Sequence, residues 1–166
     1  MSFPISSFRW PGVRRAQVLG LVLGCGLVPR SEALAQPGRA ATDRFEETSP
    51  SVTWTGSWAK NSLPANSGGS ARLSMETMSR VDFSFTGTGV RWLGYRDEWS
   101  GIADVLLDGR LRATVDTLSS PAVAQVEIYA IEGLRDGQHT LTIRPTGRKH
   151  RASGGAWIWV DAFLIR

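Results

Sequence analysis

"VDFSFTG", Val81 to Gly87, decides the fold class. Val81, Phe83 and Phe85 alternate with Asp82 and Ser84, and in an extended chain a period of two sends the two sets to opposite faces. A strand with one apolar face must cover that face with a second surface. "QHTLTIR", Gln138 to Arg144, repeats the pattern with His139, Leu141 and Ile143 against Thr140 and Thr142. Outward from these two segments, short apolar runs recur every ten residues or so, separated by Gly, Asn, Asp or Pro, and none holds the three-four spacing of a helix. Asp108-Gly109, between "IADVLL" and "RLRATV", predicts a tight hairpin, because two-residue turns need positive φ. Asp136-Gly137 precedes the next strand in the same way.

Strands are predicted near 44–48, 51–58, 70–75, 80–86, 89–95, 102–107, 110–116, 122–131, 138–144 and 156–165, about ten in all. Two facing antiparallel sheets satisfy such a set, so the expected fold is an all-β sandwich. "AVAQVEIYAI" and "AWIWVDAFLIR" are apolar on both faces, which predicts strands in the middle of the sandwich or covering another surface. No fixed-period repeat points to a propeller or solenoid.

The chain of 166 residues is sized for one domain. Its first residues read as something else. Arg9, Arg14 and Arg15 precede an apolar run, Ala16 to Val28, and "ALA" at 33–35 has the small-x-small pattern of a signal-peptidase site. Residues 1–35 are therefore expected to be an export signal, 36–43 a flexible lead-in and 44–166 the folded domain. The run is too short for a bilayer span of about 20 residues, and no later segment is a transmembrane candidate. Export implies a secreted or periplasmic location, with a lipid anchor on Cys25 of "VLGC" as the lesser alternative. Removing the leader leaves 15 basic against 14 acidic residues, a net +1 instead of +4, which argues against a nucleic-acid binder. Cys25 is the sole cysteine, so no disulfide or thiol chemistry is expected beyond the leader.

The run "VDFSFTGTGVRWLGYRDEWSGIADVLLDG", with "IEGLRDGQHTLTIRPTG" and "SGGAWIWVDAFLIR", resembles the galactose-binding-like jelly-roll domains that serve as carbohydrate-binding modules beside secreted bacterial glycosidases and esterases. Phe83-x-Phe85-x-Gly87, the Val105-x-x-Asp108-Gly109 hairpin, Gly137-x-His139-x-Leu141 and Val160-Asp161-x-Phe163 carry the likeness, which covers nearly all of 44–166. The resemblance implies a glycan site on loops at one edge of the sandwich and a structural calcium. The positions that match the calcium ligands are Glu46 or Glu47 in "RFEETS" and Asp161 in "WVDAF"; the alternative for Asp161 is a hydrogen-bond acceptor for a neighbouring turn.

"YRDEWSG", Tyr95 to Gly101, is the expected ligand loop. Tyr95 and Trp99 offer flat apolar platforms for the C–H face of a sugar, while Arg96, Asp97 and Glu98 offer donors and acceptors for its hydroxyls. The competing reading pairs Arg96 with Asp97 or Glu98 on the surface and lets Trp99 cover the core. His150 and Trp157 are expected to help; Trp54, Trp58 and Trp92 are read as core. "NSGGS" (66–70) and "SGG" (153–155) read as mobile glycine turns. No nucleophile elbow or metal-binding His pair is present, and His139 reads as a hydrogen-bonded structural residue. The leading expectation is a non-catalytic glycan-binding module; a cell-envelope domain holding a protein partner and a hydrolase of glycan decorations acting through Asp97 and Glu98 are the alternatives.

Overall fold

The computed structural model describes residues 42–166; the expected leader, Cys25 and the lead-in up to residue 41 lie outside the described residues. Twelve strands follow along the described chain: β1 (Asp43–Glu46), β2 (Val52–Thr55), β3 (Ala59–Asn61), β4 (Ala71–Ser74), β5 (Arg80–Thr86), β6 (Gly89–Arg96), β7 (Ile102–Leu107), β8 (Arg110–Asp116), β9 (Val123–Glu132), β10 (Gln138–Pro145), β11 (Ile158–Val160) and β12 (Ala162–Ile165). Their only interruption by helical backbone is one 3-10 turn, Ser67–Gly69. No helix among the described residues is long and apolar enough to cross a membrane.

The strands form a five-stranded sheet in the order β2-β5-β10-β7-β8, a four-stranded sheet in the order β1-β12-β6-β9 and a small β11-β4-β3 sheet, with every named pair antiparallel. The fold is an all-β sandwich. Val81, Phe83 and Phe85 all point into it, as their alternation requires, and so do Leu141 and Ile143. Trp92 and Phe163 answer from the other sheet; Phe83 stacks on Phe163 with ring centroids 4.3 Å apart. Removing a buried ring of this kind costs about 3–5 kcal/mol, so this face-to-face contact holds the two layers together.

Asp108 and Gly109 close the β7–β8 hairpin at φ 51° and 75°, the left-handed pair that the Asp-Gly step predicts. Other expectations need correction. The strand read over 51–58 is broken by Gly56 at φ 82°, and the missed strand β3 follows it to pair with β4. The last strand is two: Asp161 divides β11, which pairs with β4, from β12, which lies between β1 and β6. β9 is an edge strand with its outer positions exposed; register shifts in its pairing with β6 and Gln125 at φ 51° bend it, so apolar residues on both faces did not mean a central place. "NSGGS" and "SGG" are tied down, with Asn66, Ser67 and Ser153 buried.

Candidate functional site

The antiparallel order puts the end of β6, the start of β7, and the long connection from β10 to β11 at one end of the sandwich. There the 97–101 turn and the 150–157 segment are laced together. Gly154 N donates to Glu98 O at 2.8 Å, Trp157 N to Trp99 O at 3.2 Å, and Gly101 N to Trp157 O at 2.9 Å. Ser153 Oγ donates to Ser100 O at 2.8 Å from a buried position. Two loops 50 residues apart in sequence thus make one surface.

Trp99 sits on that surface with 54% of its area exposed. It is the one exposed tryptophan among the six in the described residues. The backbone of Gly154 lies directly beneath its indole, so close that a Cβ there would stand 2.6 Å from Cε3. Tyr95 is half-buried and leans on Trp159, with ring centroids 5.0 Å apart; it supports the surface more than it presents a face of its own. Trp157 is half-buried against Gly155, and His150 is exposed with its Nδ1 accepting from Ala152 N at 3.1 Å.

The charged residues of the turn divide by task. Arg96 pairs with neither Asp97 nor Glu98; its guanidinium donates to the carbonyls of Asp116, Thr117 and Leu118 and so fixes the 116–118 segment beside the turn. Asp97 Oδ1 accepts from Trp99 N at 3.0 Å and from Ser100 Oγ at 2.6 Å, which sets the turn that holds Trp99 out. Glu98 is exposed. A ring with a fixed floor and a free carboxylate in the same turn can offer an apolar platform and polar contacts to a ligand that has both characters.

Glu46, Glu47 and Asp161 meet at a second place, where the 66–70 turn closes over the ends of β1 and β12. Asp161 is fully buried and accepts from Ser67 N at 2.9 and 3.1 Å. Ser67 Oγ donates to Glu46 Oε1 at 2.8 Å and also accepts from Arg44; Ser70 Oγ donates to the buried Glu47 at 2.6 Å. Burial pushes the Asp161 carboxyl up to about 6, and the charges of Glu46 and Glu47 push the same way, against the Ser67 N–H bond. Glu46 Oε2 and both polar atoms of the Asn66 amide are buried without a partner in the protein. Among the described residues no group of three or more His, Cys, Asp or Glu side chains is arranged to hold a metal ion, so an ion here needs amide and backbone oxygens beside the carboxylates. The unpartnered Glu46 and Asn66 oxygens fit that need. Sequence reasoning missed Asn66, Ser67 and Ser70; the run of short polar residues was the available signal, but a Gly-rich turn does not say what it covers.

These layers and strand orders make the chain an antiparallel β-sandwich, and its fold is like that of solved carbohydrate-binding domains. A family 35 carbohydrate binding module from Clostridium thermocellum matches 75% of this chain with 98% of its own, at a TM-score of 0.53 and 14% identity. By sequence, 98 residues, 59% of the chain, are 36% identical to an A type blood N-acetyl-alpha-D-galactosamine deacetylase of Flavonifractor plautii and, over the same length, 37% identical to an A type blood alpha-D-galactosamine galactosaminidase of that organism. The matched stretches are 13% and 9% of those proteins, so the chain spans only a small part of the relatives it resembles. No family model matches it.

Proposed function

We propose that the chain is an exported, non-catalytic carbohydrate-binding module that holds a glycan on the joined 95–99 and 150–157 loops. Exposed Trp99 on its glycine floor carries this reading: a flat indole held still and turned to solvent is what the apolar face of a sugar ring requires. Two relatives with different reactions each match 98 residues of this chain, which argues that the matched part serves what the reactions have in common and not the bond chemistry of either. Glycans ending in α-linked N-acetylgalactosamine or galactosamine are therefore the first ligands to try. In affinity electrophoresis on such a glycan, Trp99→Ala is expected to lose about 2 kcal/mol, roughly thirty-fold in Kd. Equal retention of the variant on every sugar that binds removes Trp99 from the site. Capture of an envelope protein that free sugar does not compete off favours the protein-partner alternative, and turnover of acylated sugars that vanishes in Asp97→Asn favours the hydrolase.

A structural calcium belongs to the same proposal. Glu46, Glu47 and Asp161, with Asn66 and backbone oxygens, would hold it, and the ion would neutralise carboxylates that now face one another in a buried place. Export rests on the leader, with the Cys25 anchor as the alternative; N-terminal sequencing of the exported protein distinguishes a start near residue 36 from one at Cys25.

A further inference from the structure

A hollow of about 480 Å³ opens at the end of the sandwich away from Trp99. Phe45 and Ile165 wall it from one sheet and Phe85 from the other; Ser51, Thr86 and Gln138 stand at its rim. The volume lies within the roughly 300–1,000 Å³ usual for small-molecule sites. β10 runs from Gln138 in this hollow to Pro145 near the Trp99 loops, and eight residues at about 3.3 Å each place the two ends roughly 25 Å apart.

The chemistry of the lining restricts the occupant. Its charged groups are already satisfied: His139 Nδ1 bonds Asp108 Oδ2 at 2.8 Å, His139 Nε2 bonds Arg135 O at 2.8 Å, and Asp108 Oδ1 accepts from Thr140 N at 2.9 Å. Both ring nitrogens of His139 are engaged, and the Asp108 carboxylate is paired with that ring, so the lining offers no unpaired charge to an ionic ligand. What is left free is an apolar wall, with Phe85 and Phe83 stacked at 5.7 Å behind it, and a rim of hydroxyls and one carboxamide. An apolar face and several neutral hydrogen-bonding groups on one small molecule describe an uncharged sugar ring.

We propose that this hollow is a second binding site, for a neutral saccharide unit, independent of the Trp99 surface. The two sites would let one module hold two chain ends of a glycan, raising retention on a multivalent surface above that of either site alone.

The test is a set of backbone amide NMR titrations of the full-length protein with N-acetyl-D-galactosamine, D-galactose and D-mannose, each added well beyond 1 mM. The expected result is movement of the 84–86 and 138–140 amides with at least one sugar, unchanged in Trp99→Ala. In Thr86→Trp, which sets an indole at the rim, that movement should be lost while the spectrum stays dispersed. Gln138→Ala, an exposed change that leaves the fold alone, should weaken it at least several-fold. Three results would overturn the proposal: still amides at 84–86 and 138–140 with all three sugars, movement that disappears in Trp99→Ala, or a larger response to D-glucuronate than to any neutral sugar. Failure of the Trp99 surface to bind leaves this site's outcome separate, since its amides are read on their own.

Discussion

Gly154 decides whether the exposed ring has a floor. A methyl group there would press on the indole at 2.6 Å from Cε3, so Trp99 would have to lift or swing away. Gly154→Ala is expected to weaken glycan retention several-fold while moving the melting temperature only a few degrees, because the contact lies at the surface. Retention like wild type in affinity electrophoresis would show that the ring's position is immaterial. His139 carries a different prediction. The Arg135 carbonyl and the Asp108 carboxylate both hold its imidazolium, raising its pKa above 6.5. Burial alone would raise Asp108, but the His139 and Thr140 bonds bring it below 3.8. A raised imidazole stabilises the fold fully below the unfolded value and loses that contribution as pH climbs through the folded one; a lowered carboxylate loses its share as pH falls. The stability gap between wild type and His139→Asn should therefore be widest between about pH 4 and 6.5 and narrow above, in thermal melts across pH.

Among elements, the β7–β8 hairpin was readable because its cause is local. Asp108 and Gly109 both take positive φ, and Gly109 has open space around it, so Gly109→Ala meets backbone strain without a clash. A loss of about 1 kcal/mol is expected in denaturant melts, and Asp108→Ala should lose more, since it also strips acceptors from Thr140 and His139. The same locality made β5 and β10 legible, together with the buried Trp92 and the bonded His139. Where the cause is distant, the sequence was mute. The split at Asp161 depends on β4, β1 and β6 all claiming the last segment, and those pairings span most of the domain. Trp54 and Trp58 sit four apart, as strand mates on one face would, yet Gly56 bends the chain between them and they meet edge to face at 4.8 Å. In the 95–101 loop the residue types were visible, but their division of labour was not. Arg96 found three carbonyls 20 to 22 residues on, and Trp99 found a glycine from a loop whose position no spacing encodes.

For the molecule as a whole, the buried carboxylates tie stability to pH, and the calcium proposed between them would add a dependence of opposite sign. Asp161 moves from 3.8 to about 6 on folding, first by burial and then by the charges of Glu46 and Glu47. A carboxyl raised in this way favours the fold fully below 3.8 and loses that advantage as pH passes through 6, at most on the order of 3 kcal/mol. In chelator the protein should therefore melt at progressively lower temperature from pH 5 to about pH 7.5. His139 adds a slope in the same direction, so the carboxylate share must be separated by its response to calcium, which the imidazole lacks. A bound ion favours the ionised carboxylates, so calcium at a hundred times its Kd should add about 2.7 kcal/mol near pH 7.5 and progressively less below pH 6, where protons compete for Asp161. Asp161→Asn keeps an acceptor for Ser67 N and removes the charge. It should flatten the chelator curve and abolish the calcium response together. A wild-type melting temperature that calcium leaves unmoved at pH 7.5, with the chelator slope intact, would mean that Glu46, Glu47 and Asp161 form a strained polar joint between β1, β12 and the 66–70 turn, and hold no ion.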